Sequence, residues 1–220
     1  MQLSNETIEV LKNFANINPN LVVSAGSNLK TISEAKNIMA SADISETFDT
    51  GFGIYDLNEF LSAFNLIESP TLEFTDNAVK IKGASSQVEY RFANVEILTQ
   101  PAKSVNMPDV DLNVSISAED ISQIKRAAGA LGHPVLSISS DDGVNLIVKV
   151  CDPNNPTANT WSKTIANDRY GNFDYQFLIS NLKLLPGDYT VNISNKLISS
   201  WKSPIVEYWI ALEKTSTIQE

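Results

Sequence analysis

One histidine (His133), one cysteine (Cys151) and one Asp-Thr-Gly (residues 49–51) bound the covalent chemistry open to this chain. One histidine and one cysteine cannot build a nitrogen/sulfur metal cluster within a chain. A Ser-His-Asp triad would have to use His133, which stands before Pro134 in a helix-to-strand turn; a turn residue is the plainer reading. Asp49-Thr50-Gly51 is the aspartic-protease tripeptide, but that mechanism needs two carboxylates sharing a proton. The tripeptide occurs once, so such an enzyme would be a symmetric dimer, and a strand end is the plainer reading. Asp141 and Asp142 could be a metal pair, yet adjacent carboxylates before Gly143 read as hairpin-turn residues. No glycine-rich phosphate loop follows a strand and opens a helix. The expectation is no catalytic residue, no metal and no cofactor.

The bases are more informative. The chain holds 16 Lys and Arg against 26 Asp and Glu, a net charge of −10. That balance argues against generic nucleic-acid binding, which needs a basic field, but leaves room for a local basic strip. Lys12, Lys125, Arg126 and Lys183 all fall in predicted helices, off the apolar stripe. With Asn5, Asn16 and Ser122 they make a polar surface suited to phosphates and lacking any base-reading code. A solvated helix face would look the same in any single helix; a repeat in the sequence shifts the balance.

That repeat has an offset of 113 residues: Ser4 overlays Ser117, Glu6 overlays Glu119, Ile8 overlays Ile121, Lys12 overlays Lys125 and Ala15 overlays Ala128. The first copy predicts a helix over 4–16, with Ser4 as N-cap and Glu6 in the first turn. Ile8, Leu11, Phe14 and Ala15 form its dry side; Asn5, Glu9, Lys12, Asn13 and Asn16 its wet side. Further helices are predicted over 56–66, from Ser117 to 131, and over 175–185. Strands are predicted at 21–24 and 29–32 (as a hairpin), 38–44, 47–54, 71–74, 78–82, 87–92 and 95–98. In the second half they fall at 134–140, 144–150 (a hairpin through Asp141-Asp-Gly143), 160–166, 189–194 and 205–212. Residues 101–110, with two prolines and no periodicity, read as a linker between an N-terminal domain (1–100) and a C-terminal one (111–220). The 43% hydrophobic content supports a core in each. Apolar runs are too short to span a membrane, the N-terminus does not read as a signal peptide, and one cysteine suits a reducing cytosol.

Short segments spread in order along the chain resemble the sliding clamps of T-even-type bacteriophages, the DNA polymerase processivity factors. They are Leu11-Lys-Asn-Phe-Ala15 with Ile17-Asn18, part of Ala42-Asp-Ile-Ser45, and Ile54-Tyr-Asp-Leu-Asn58 with Phe60-Leu61. Ala118-Glu-Asp120, Asn181-Leu-Lys183 with Pro186-Gly187 and Tyr189, then Tyr208 and Ala211-Leu-Glu213 complete the set. The specificity lies in their order and in the duplication. The resemblance implies an α+β fold of two similar clamp domains, each with two helices packed on antiparallel sheets. Three subunits would join head to tail in a closed ring around double-stranded DNA, without catalytic activity.

The implied DNA-facing residues are Lys12, Lys125, Arg126, Lys183, Asn5 and Asn16. Helix 56–66 carries Asp56 and Glu59 and no base, so Lys30, Lys36, Lys80 or Lys82 would have to supplement it. The implied subunit edges are 89–97, with Tyr90 and Phe92, and 159–166, with Trp161 and Ile165. Leu98, Val105, Met107, Val110 and Trp209 would line a cleft for partner peptides, or would simply glue the domains together. Implied partners are the phage DNA polymerase, an ATP-dependent clamp loader, and the late-transcription sigma factor and coactivator, in the cytoplasm of the infected bacterial host. Two other readings stay open: a non-enzymatic peptide-binding adaptor with duplicated α+β domains, and a dimeric aspartic protease at Asp49.

Overall fold

The helix expected at the start of the chain forms because its first turn is supplied with acceptors and its far side with apolar residues. α1 spans Asn5–Ile17; Ser4 accepts from the Thr7 N–H, and Val10, Leu11, Phe14 and Ile17 are buried along one side. Burying a side chain such as Phe14 contributes roughly 2–3 kcal/mol. The structure, a computed structural model, describes residues 1–102 and 105–218. The chain forms two compact units. Unit 1 comprises Met1–Ser104, Lys183–Leu185 and Pro204–Tyr208; unit 2 comprises Val105–Leu182, Pro186–Ser203 and Trp209–Glu220.

In unit 1, α1 is followed by β1 (Leu21–Val23), β2 (Gly26–Ile32), β3 (Ile38–Phe48) and β4 (Phe52–Ile54). The hairpin expected over 21–32 does not form. β1 instead pairs antiparallel with β4, and β2 with β3. The true hairpin turn lies at residues 33–37, where the Ser33 hydroxyl accepts from the Asn37 and Ile38 N–H groups and Lys36 takes a positive φ of 56°. The single strand expected over 47–54 is broken by a bend at Asp49–Gly51. α2 spans Leu57–Asn65, capped by Asp56, which accepts from the Asn58 and Glu59 N–H groups; its dry side is Leu57, Phe60, Leu61 and Phe64. β5 (Thr71–Phe74), β6 (Ala78–Lys82) and β7 (Gln87–Arg91) make a three-stranded antiparallel sheet in that order. The strand expected at 95–98 is a 3₁₀ turn, Val95–Ile97. Phe48, Phe52, Phe74 and Phe92 interlock beneath these elements, with Phe52 stacked on Phe92 at 4.7 Å between ring centres.

Unit 2 opens with β8 (Leu112–Ile116), a strand the sequence reading did not anticipate, although Leu112, Val114 and Ile116 alternate with exposed Asn113 and Ser115. α3 (Ala118–Leu131) starts in a capping box: Ser117 accepts from the Asp120 N–H while the Asp120 carboxylate accepts from the Ser117 N–H. Gly132, at φ 71°, terminates it in the left-handed conformation that glycine takes without strain. Then come β9 (Val135–Ser140), β10 (Asn145–Cys151), β11 (Trp161–Asn167) and β12 (Phe173–Leu178).

No helix forms over 175–185. β12 pairs with β9 from Phe173↔Ser140 to Leu178↔Val135, and a 3₁₀ turn, Ile179–Asn181, ends it. The period-two signal of Phe173, Tyr175 and Phe177 overrides the helical spacing of Leu178, Ile179, Leu182 and Leu185. Tyr175 and Phe177 are buried, and the Ile179 N–H is spent on the Pro134 carbonyl, outside any helix. The second half therefore holds one α-helix, where two were expected. β13 (Tyr189–Ser194), β14 (Ile198–Lys202), β15 (Val206–Ala211) and β16 (Thr217–Ile218) complete the chain. One sheet of unit 2 has the order β11-β10-β9-β12-β16; in the other, β13 lies between β8 and β14. Trp201, fully buried, packs edge-on to Phe177 and donates its indole N–H to Ser199 Oγ at 3.0 Å.

Candidate nucleic-acid interface and assembly edges

On α1, Asn5, Lys12 and Asn16 are exposed as expected. Asn13, expected on the same wet side, is buried: its amide donates to the Lys183 carbonyl at 2.8 Å and its oxygen accepts from Tyr208 Oη at 2.8 Å. Lys183 is not on a helix, yet it reaches α1: its ammonium donates to the Asn16 carbonyl at the end of that helix. Lys12 forms an ion pair with Glu9 at 2.8 Å.

On α3, Lys125 and Arg126 are exposed. Arg126 pairs with Glu119 at 2.9 Å, and Gln123 donates to the same carboxylate oxygen. Lys125 has no ion pair among the described residues. Protein mass beside its ammonium desolvates it and lowers its pKa below the ordinary lysine value. The three helices together carry Lys12, Lys125 and Arg126 against Glu6, Glu9, Glu59, Glu119 and Asp120. The bases are thus not concentrated on the helices, and α2 carries none. Of the loop and strand bases suggested as supplements, Lys82 is paired with Glu73, while Lys30 and Lys36 are exposed.

Two features at the helix starts escaped the sequence reading. Glu46 of β3 accepts from the Ser4 N–H and the Thr7 hydroxyl. Burial works against its carboxylate, but these hydrogen bonds outweigh burial and hold its pKa below the ordinary value. Lys163 of β11 donates to Asp120 at 2.7 Å and to Gln123 at 3.2 Å. Burial again opposes the Asp120 carboxylate, and Lys163 and Ser117 together pull its pKa down. Only a tertiary pairing brings these residues together, so no local spacing signals them.

Of the two segments expected as assembly edges, 159–166 contains most of an edge strand, whereas 89–97 is an edge strand only to Arg91 and ends in the 3₁₀ turn Val95–Ile97. β7 ends the three-stranded sheet of unit 1 and β11 ends the five-stranded sheet of unit 2. The opposite edges are occupied: Met1 exchanges two backbone hydrogen bonds with Leu72 of β5, and β16 pairs with β12. Of the four residues expected there, Tyr90 points into the core. It is 9% exposed, sits edge-on to Phe60, and donates to the Asp56 carbonyl. Phe92 is half-buried against Phe52; Trp161 and Ile165 are half-buried. Ile165 is the extra residue of a β-bulge, since Leu146 faces Ala166 while Ile147 faces Thr164.

Among the expected cleft residues, Leu98 belongs to unit 1 and is buried against the Gly53 backbone, where an added Cβ would meet its Cδ1 at 2.7 Å. Val105, Met107, Val110 and Trp209 belong to unit 2; Val110 is 46% exposed and the other three are half-buried. The remaining chemical candidates behave as turn residues. His133 Nε2 lies 2.7 Å from the Asn159 carbonyl, and Asp49 is exposed in the bend between β3 and β4. Asp142 accepts from the Val144 and Asn145 N–H groups, which lower its pKa and fix the hairpin. Among the described residues no three His, Cys, Asp or Glu side chains gather as a metal site, and no helix is long and apolar enough to cross a membrane.

A family profile described as DNA polymerase processivity factor matches residues 4–96. Over nearly their whole lengths, two proteins described as sliding clamps are each 32% identical to this chain. The one from Vibrio phage KVP40 aligns over 97% of this chain and 99% of its own, and the one from Escherichia phage RB69 over 99% of each. The sliding clamp of Enterobacteria phage T4 is 28% identical over 99% of both chains. Among solved structures, A. fulgidus PCNA bound to the C-terminal region of FEN-1 superposes with a TM-score of 0.74 at 12% identity, over 98% of each chain. PCNA from Entamoeba histolytica gives 0.69 at 12% identity over 94% of each chain, so the fold is shared where the sequence is not. The two relatives at 32% identity cover nearly the whole chain and the family profile covers the part that opens with the Ser4-capped helix, so the chain belongs to the sliding-clamp family of DNA polymerase processivity factors from T4-like phages.

Proposed function

We propose that copies of this chain join head to tail into a closed ring that encircles double-stranded DNA and tethers the phage DNA polymerase, with retention coming from closure. The observation that carries this reading is the pair of free strand edges. Among the described residues β7 ends a sheet in one unit and β11 ends a sheet in the other, so a chain offers two different strand edges and joins others heterologously. Phe92 on one side and Trp161 and Ile165 on the other supply apolar area beside those edges. Closure hides edges that would otherwise invite aggregation. The polar faces of α1 and α3, with Asn5, Lys12, Asn16, Lys125, Arg126 and the nearby Lys183, face the duplex.

Three subunits complete the ring, and an ATP-dependent loader opens it. The late-transcription sigma factor and coactivator bind the same apolar residues of unit 2 as the polymerase, Val105, Met107, Val110 and Trp209, in the cytoplasm of the infected host. The test is the mass in solution by light scattering, with retention on DNA after loading. Three subunits, and protein held on circular but lost from open-ended linear DNA, are expected. A stable monomer at micromolar concentration with no retention on circles overturns the proposal.

The five acids against three bases on the helices favour a second reading, a peptide-binding adaptor that never surrounds DNA. That protein would bind a polymerase tail undiminished, and support replication, after Lys12, Lys125, Arg126 and Lys183 were all changed to Ala.

A further inference from the structure

Of the three bases on the helices, two are already engaged by carboxylates of their own helix. Lys12 sits 2.8 Å from Glu9, and Arg126 sits 2.9 Å from Glu119. Glu119 is itself positioned, because Gln123 donates to the same oxygen at 2.8 Å. All four charged side chains are between 48% and 68% exposed, so these pairs are in reach of a solvent-side ligand and weakly held. Of these three bases only Lys125 has no ion pair among the described residues.

We infer that Glu9 and Glu119 are built-in counter-ions that limit how strongly the helix faces grip DNA phosphates. The inference rests on the reading that these faces meet the duplex. A phosphate oxygen approaching Lys12 or Arg126 must first displace a carboxylate, and once displaced that carboxylate repels the phosphate. Each base then contributes little net attraction, and few condensed cations leave the DNA when the protein binds. A wall of this kind holds the duplex weakly everywhere, which suits a protein retained by topology and required to move along DNA.

The test compares the full chain with E9Q/E119Q and with K12Q/K125Q/R126Q, measuring equilibrium binding to a short blunt duplex across a range of salt concentrations. E9Q/E119Q is expected to bind tighter, by up to roughly fivefold for each acid removed. It should also steepen the fall of log K with log salt by about 0.9 for each base freed. The triple base variant is expected to weaken binding and flatten that slope. If the base variant flattens the slope while E9Q/E119Q leaves both affinity and slope unchanged, the inference fails and the DNA-facing reading stands. If the base variant changes nothing, the faces do not meet DNA and both fail. E9Q, in the middle of α1 and away from any cap, carries the test alone should E119Q disturb the start of α3; one freed base then predicts one increment of slope, and no increment overturns the inference.

Discussion

In unit 1 the start of α1 is held by a carboxylate that arrives from elsewhere; in unit 2 the start of α3 carries its own carboxylate, and an ammonium arrives to hold it. Both helices are followed by four strands, and in both it is the third strand that reaches back. From β3, Glu46 takes the Ser4 N–H and the Thr7 hydroxyl. From β11, Lys163 takes Asp120, which occupies the place in the repeat that Thr7 holds in the first copy. The need is the same in each case, because the first turn of any helix leaves N–H groups without partners. What differs is which element supplies the negative charge, and the third strand compensates by changing sign. A duplicated domain can thus keep its frame while exchanging the chemistry that pins it.

The largest effect should come from Glu46→Ala. Thr7 is fully buried, so its hydroxyl loses its carboxylate acceptor and is left with the Ser4 hydroxyl at 3.1 Å, while the Ser4 N–H loses its partner too, at about 2 kcal/mol in urea unfolding. Thr7→Val in the same background should restore much of that, since removing both partners costs less than orphaning one. An E46A protein as stable as the parent would break the comparison. Asp120→Ala removes a capping box and the partner of Lys163, at about 1 kcal/mol, because water can partly replace what is lost. Adding Lys163→Ala to D120A should cost little more; fully additive losses would mean the pair does not act as one.

Lys163→Met alone should cost below about 1 kcal/mol, given that its ammonium is part-exposed. The smallest effect lies in the acid limb of stability. Both carboxylates have folded pKa values below their ordinary 4.5 and 3.8, so the unfolded chain takes up protons first as pH falls. Their contributions are intact above those ordinary values and are lost as pH drops through the folded ones. Glu46→Gln should flatten the limb from just below pH 4.5, and Asp120→Asn only from just below pH 3.8; limbs unchanged in both would remove the electrostatic part of the argument.

The Ser4 and Ser117 caps, the apolar stripes of α1 and α2, and the Asp141-Asp-Gly143 hairpin were legible because each is written within a few consecutive residues. Glu46 and Lys163 were not, since they lie 42 and 43 residues from their partners and nothing local marks them. β14 was hidden for another reason. Ser199 and Ser200 are buried there beside Trp201, and Ser199 is accommodated by donating to the Ile210 carbonyl, so composition read as loop where packing made a strand. Residues 178–185 misled in the opposite sense. Their leucines fall at helical spacing, yet the aromatic alternation just before them had already committed the chain to β12. At the candidate site, Lys12, Lys125 and Arg126 are legible by position, but the screening of two of them is not: Glu9 lies three residues from Lys12 and reads as one more wet-face residue, and Glu119 lies seven residues from Arg126, two turns away.

The bulge at Ile165 has a consequence for any array built through β11. Straight, evenly pleated edges stack into rows that have no reason to end. One surplus residue bends the strand and increases its local twist. Each copy added across it is therefore turned by a fixed angle relative to the last. Repeated, a fixed turn converts a row into an arc, and an arc whose angle divides a full circle has a last member.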